Sequence, residues 1–260
     1  MKMKGLIFKE LYLGRKNYLL MTAIWFMLSV LGILIRLSML YGNLANIPTI
    51  TSDGTDLIIF YTFMYAPAFV LFLSINFNID IIASDFASKW SDFSYTTPIS
   101  EYGYAGIRYM LKAALCVITF ALSLANAGIM SGLYGKELNI VTVNVLLVTL
   151  LFVIIISVIA EVLMYRCRSK NKVQAILIAG AFIFAGLVGL ILFMLAKNFM
   201  LVETFKNGIG IPEIAAVIES LISTLNIPHG VFSAVCSVAI IAALTAGYRL
   251  NAKAIGRREK

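Results

Sequence analysis

The sequence predicts an all-α polytopic membrane protein with six transmembrane helices and both termini in the cytoplasm. Three observations carry that expectation. The chain is 61% hydrophobic and only 13% charged, whereas soluble domains are about half apolar and about a quarter charged. Apolar runs of the length needed to cross a bilayer, about 20 residues, recur along it. Of its 21 Lys and Arg residues, all but Arg36, Lys136, Lys197 and Lys206 fall on one side of the membrane once those runs are threaded. That side is therefore cytoplasmic. The same asymmetry accounts for the net charge of +8 without nucleic acid as a partner. No polar segment is long enough for a soluble domain, so residues 1–260 form a single transmembrane domain.

The elements follow in order. Residues 1–17, "MKMKGLIFKELYLGRKN", place Met3, Ile7 and Leu11 on one helical face and Lys2, Lys9 and Lys16 on another. This pattern suits an interfacial helix on the inner leaflet, or simply a basic anchor for the first span. The spans are expected at Tyr18–Leu40, Leu57–Ile79, Tyr104–Met130, Ile140–Met164, Val173–Ala196 and Val231–Leu250. The first run is too long for the apolar region of a signal peptide and should remain as a helix. Pro67 should kink the second span. Small-residue stripes (Ala181, Ala185, Gly189; Ala239, Ala243, Gly247; Gly128, Gly132) permit close helix contacts. The outer segment 197–230 contains "IPEIAAVIESLISTLN", whose apolar residues recur at helical spacing; an amphipathic outer helix before the last span is expected.

Between spans two and three lies the longest cytoplasmic loop, 80–103. "ASDFASKWSDF" places Phe86, Trp90 and Phe93 at i, i+4 and i+7 beside Asp85, Lys89 and Asp92. A short helix with an aromatic stripe fits. It could lie among lipid headgroups or present anchors to a cytosolic partner. Pro98 then breaks the chain, and Ser100 is placed to cap the third span.

Signs of catalysis are missing. There is no phosphate-binding GxxxxGK[ST] loop, no HExxH and no GxSxG. The three Cys and the single histidine, His229, have no metal-ligand spacing. No catalytic residue, metal or cofactor is assigned to this chain, and His229 reads as part of a turn. Polar residues within spans are few. Arg36 lies near an outer end, where it can snorkel or face a substrate path. Asn76 marks an inner end, Asn126 can bond across helices, and Glu161 has Arg166 and Arg168 within reach. Phe60, Tyr61, Phe63, Tyr65, Phe69 and Phe72 crowd the second span and line a substrate cavity, or simply face lipid or neighbouring helices.

Two segments carry a family resemblance. "KGLIFKELYLGRKN", with its Lys9-Glu10 pair, and "KWSDFSYTTPISEY" followed by "IRYM" (Asp85, Trp90, Pro98, Arg108, Tyr109) resemble the start and the first cytoplasmic loop of bacterial type-2 ATP-binding-cassette (ABC) permeases. The phenol-soluble modulin exporter permeases are the most similar group. The usual Lys before the Tyr is Arg108 here, and the motifs are loose. The resemblance implies a bacterial plasma-membrane exporter of two permease copies, as homodimer or heterodimer, with two copies of a separate ATPase that binds ATP and Mg. It makes Asp85, Phe86, Lys89, Trp90, Asp92 and Phe93 a coupling helix gripped by that ATPase. Arg36, Phe60, Phe63, Asn76 and Asn126 would lie on the substrate path. Amphipathic peptides are the implied cargo; a lipid, polysaccharide precursor or drug is the alternative, as is a sensor or assembly protein that transports nothing.

Overall fold

A computed structural model describes residues 2–42, 53–88, 100–180 and 228–256. Every regular element among them is helical: α1 (Lys2–Tyr41), α2 (Asp53–Leu73), a 3-10 turn (Ser74–Phe77), α3 (Asn78–Ala87), α4 (Glu101–Leu133), α5 (Ile140–Cys167), α6 (170–180) and α7 (His229–Gly256). Five helical segments among the described residues are long and apolar enough to cross a membrane, which makes this a multi-pass membrane protein. The expected fifth span is helical over 170–180 and otherwise lies outside the described residues. So does the amphipathic outer helix.

Two boundaries differ from expectation. The N-terminal segment is not a separate interfacial helix. It runs without a break into the first span, giving one helix of 40 residues, about 60 Å at 1.5 Å per residue, twice the thickness of a bilayer core. Residues 2–17 contain no Pro, so the backbone has no reason to stop. The second span also outruns its expected end at Ile79. After Pro67 inside α2, the helix tightens into the 3-10 turn and resumes as α3. The short helix expected from Ala83 thus begins earlier, at Asn78, and is described as far as Ala87.

The helices alternate in direction. The start of α1, the start of α4, the end of α5 and the end of α7 meet at one end, which is rich in Lys and Arg. Helix α5 is the centre. It is the most buried of the candidate spans, and its Leu146, Leu150, Ile154 and Val158 pack with Ala68, Phe72, Cys116 and Ile240, while Phe152, Ile155 and Ile159 face outward. Two smaller clusters flank this core. Phe60, Met64, Ala127, Met130 and Tyr134 join α2 to α4. At the basic end, Ile82, Ala105, Met164, Val173 and Ala252 join α3, α4, α5, α6 and α7. Helix caps match their sequences: Ser100 accepts from the Gly103 N–H at 3.1 Å, as expected, and Asn139 caps α5 through the Val141 N–H.

Lipid tails are as apolar as leucine, so helices in a bilayer associate through close packing and polar links. Gly247 is one such approach. A Cβ there would stand 2.6 Å from the Tyr109 hydroxyl and 2.7 Å from Val158 Cγ2, so α7 can seat on α4 and α5 only without a side chain at that position. A Cβ on Gly128 would meet nothing within 4 Å. Gly247→Val should therefore cost about 1–3 kcal/mol through overpacking, and Gly128→Ala should stay within about 0.5 kcal/mol of wild type. Thermal unfolding of the two variants in detergent checks this; equal melting temperatures would refute the close approach of α7.

Candidate functional site

The basic end of the bundle holds a cluster of charges that the sequence distributes over distant helices. Arg108 lies two turns into α4 and is buried. Its Nε and Nη2 donate to Glu10 Oε1 of α1 at 3.0 and 2.9 Å, and Nη2 also donates to Asp85 Oδ2 of α3 at 2.6 Å. Nη1 donates to the Tyr165 hydroxyl of α5 at 2.5 Å. The Tyr104 hydroxyl accepts from Nη2 at 2.9 Å and donates a hydrogen bond to Asp85 Oδ2 at 3.0 Å. Lys9 closes the group from α1, with Nζ 2.6 Å from Asp85 Oδ1. Two cations face two carboxylates, so the cluster is neutral overall.

One turn further along α4 a second group forms. Lys112 is fully buried, and its Nζ lies 2.6 Å from Glu161 Oε1. The approach is close enough for an ion pair although its angle misses that of a hydrogen bond. Lys112 also donates to Ser157 Oγ at 2.9 Å. Glu161 Oε2 accepts from the Tyr109 hydroxyl at 2.9 Å and from Asn251 Nδ2 of α7 at 3.1 Å. Ser157 in turn points to the Ile75 carbonyl in the 3-10 turn at 3.4 Å. The two groups together tie α1, α3, α4, α5, α7 and the turn after α2.

The local reason is spacing. Tyr104, Arg108 and Lys112 recur every four residues and form one stripe of α4; Glu161 and Tyr165 do the same on α5. Taking such charges out of water is expensive, and mutual attraction offsets the cost only where geometry is close and remaining hydrogen-bonding positions are filled. The Arg108 group meets that condition; the Lys112 group meets it in part, since Glu161 Oε1 and Asn251 Oδ1 are buried without a hydrogen bond among the described residues, while the Lys170–Asp80 pair, at 2.7 Å, is exposed on both sides.

The expected site residues scatter. Asp85 does not present its carboxylate to a partner: it is 5% exposed, with Arg108, Tyr104 and Lys9 already around it. Phe86 packs edge-on against Tyr165 at 6.2 Å between ring centres. Lys89, Trp90, Asp92 and Phe93 lie outside the described residues. Arg36 does not snorkel freely. It pairs with Asp56 at 3.0 Å, donates to the Leu133 carbonyl at 3.3 Å and covers the Tyr134 ring at 4.3 Å, fastening the far ends of α1, α2 and α4. Asn126 bonds across helices, donating to the Phe63 and Met64 carbonyls at 3.1 and 3.3 Å. Phe60 and Phe72 are buried within core clusters and Phe63 packs beside Phe60; of the aromatic set only Phe69 is strongly exposed. Among the described residues these rings pack mostly against neighbouring helices of the same chain. Asn76 leaves Oδ1 buried without a partner among the described residues. Glu161 takes Lys112, not Arg166 or Arg168, as its counterion. Arg108 and Lys112, counted from sequence as flanking charges, are structural cations inside the bundle; without them the charge asymmetry persists.

No group of three or more His, Cys, Asp or Glu that could hold a metal occurs among the described residues. Comparison with family models, curated proteins and solved structures gave no match to the chain.

Lys112→Met should leave Glu161 buried beside only Tyr109 and Asn251, at a cost of about 3–5 kcal/mol. Pairing it with Glu161→Gln should restore much of that loss, because the orphaned charge goes too. Lys170→Ala should cost about 0–1 kcal/mol. Chemical unfolding of the three variants in one detergent reads the order; a double variant less stable than Lys112→Met would contradict the pairing.

Proposed function

We propose that this chain is the permease subunit of an ATP-driven exporter of the type-2 ABC kind, moved by a separate ATPase that docks on the segment following α3. The observation that supports this reading is the placement of Asp85. It fastens α3 to α1 through Lys9 and to α4 through Arg108, and α3 leads directly into 89–99, where Trp90, Asp92, Pro98 and Phe93 stand. A force applied to that segment reaches two transmembrane helices through charged contacts rather than through a slack loop. A coupling element needs this division: an outer part that binds, and an inner part that transmits.

The revised assignment gives Trp90 and Phe93 the docking role and Asp85 the transmitting role. Four motif residues of the resemblance, Lys9, Glu10, Asp85 and Arg108, then have a common purpose, since they converge on one another; Tyr109 joins the neighbouring Glu161 group. Conformational drive comes from the ATPase binding two permease arrangements with different affinity. The cargo path lies between two copies rather than within one. Helix α1 leaves Leu19, Leu20, Phe26, Met27 and Leu34 open, an apolar wall suited to an amphipathic peptide and to few hydrogen-bonding sugars.

The roles separate experimentally. The ATPase that co-purifies with the tagged chain from its own membranes is the readout. Trp90→Ala should lower its retention about 30-fold, the loss of a strong interface anchor. Asp85→Asn should retain it but abolish the rise in ATP hydrolysis caused by amphipathic helical peptides in lipid discs. Absence of any ATPase from the purified complex, or full retention and coupling in both variants, would reject the reading.

A further inference from the structure

The last turns of α5 and α7 enclose a cavity of about 410 Å3 at the basic end, lined by Val162, Arg166, Arg168, Leu250 and Lys253 among others. Leu250 also lines a second cavity of about 540 Å3, which follows α7 past Arg249, Ala246, Thr245 and Ala242. One is basic and lies at the end of the bundle. The other is a shallow groove floored by small side chains. Their common wall makes them a single track, about 16 Å long from Lys253 to Ala242 at 1.5 Å per residue.

Charge sets this track apart. Lys9, Arg36, Arg108, Lys112 and Lys170 each have a carboxylate within 3.0 Å. Among the described residues, Arg166, Arg168, Arg249 and Lys253 have none, and no acidic side chain lines either cavity. Arg168 adds a backbone observation. It ends α5 in the left-handed region, with φ 50°, its N–H bonded to the Met164 carbonyl. Glycine is the residue that adopts this conformation without strain. An arginine there sets a guanidinium at the cavity at the expense of backbone comfort. Cations at a helix C-terminus do complement its dipole, and Arg166 serves that purpose already from the last turn.

We propose that this track binds an anionic phospholipid from the leaflet at the basic end, its phosphate among Arg166, Arg168 and Lys253 and one acyl chain along Ala242, Thr245 and Ala246. A basic hollow continuous with an apolar groove matches a lipid in both halves, whereas a free phosphate accounts for the hollow alone. A second copy of the chain would bring the same positive charge to the groove. Tyr165 lines the cavity and also receives the Arg108 hydrogen bond, so an occupied track bears directly on the charged cluster.

The test uses the full chain in lipid discs and native mass spectrometry after mild delipidation, with phosphatidylglycerol against phosphatidylcholine. Wild type should retain phosphatidylglycerol selectively and gain several degrees of melting temperature from it. Combined Arg166→Gln, Arg168→Gly and Lys253→Gln should weaken retention about tenfold or more, since each basic residue near an anionic surface contributes comparably. Arg168→Gly alone should lose part of the retention with no drop in melting temperature in phosphatidylcholine, because glycine suits that backbone; it keeps the test decisive should the triple variant misfold. Equal retention of both lipids, unchanged retention in Arg168→Gly, equal protection by millimolar inorganic phosphate, or a disulfide-linked dimer formed through Thr245→Cys in lipid-replete membranes would each overturn the assignment.

Discussion

An apolar side chain gains little by leaving lipid for a neighbouring helix, so a membrane bundle of this composition has weak means of choosing one arrangement over another. The buried guanidinium of Arg108 supplies the choice here. Its donors are directed to Glu10, Asp85, Tyr104 and Tyr165, which belong to four helices. The planar fork of arginine fixes directions as well as distances, which the point charge of a lysine would not. Any other register of α1 or α3 against α4 would leave a carboxylate unpaired at about the depth where that is costly. The registers of α1 and α3 against α4 follow from this one contact set. Lys112 and Glu161 repeat the device one turn deeper and bring α7 into it.

The two ends of the molecule are built differently. At the far end Arg36 holds α1, α2 and α4 through a single carboxylate, a carbonyl and a ring, and Asn126 adds bonds to the α2 backbone. At the basic end the charges form a continuous set across five helices. Among the described residues, the charged links are concentrated at the basic end.

Much of the fold was legible in the sequence, because length and apolarity are local properties. The third, fourth and sixth expected spans fall inside α4, α5 and α7, and Ser100 caps where its spacing from Gly103 says it should. The continuity of α1 was less legible, since amphipathic period and a basic flank look the same whether a helix lies on a bilayer or continues into it. Partners were the least legible. Glu161 has Arg166 and Arg168 nearby in sequence, yet its counterion stands 49 positions earlier, on another helix; nothing local in the chain encodes how α4 and α5 are rotated against each other. The one usable signal was the four-residue recurrence of Tyr104, Arg108 and Lys112 opposite that of Glu161 and Tyr165. Asp85 was correctly singled out as unusual, but an acid on a predicted helix end does not reveal whether it faces a partner or its own bundle.

The claim beneath this account is that Arg108 couples energetically to Glu10 and to Asp85 in the folded chain. A double-mutant cycle measures it directly, from the unfolding free energies of Arg108→Ala, Glu10→Ala, Asp85→Ala and the two double variants in a single detergent. The account predicts coupling of about 1–3 kcal/mol for each pair, the range for residues in one buried charged network. Effects that simply add, with coupling near zero for both pairs, would contradict it.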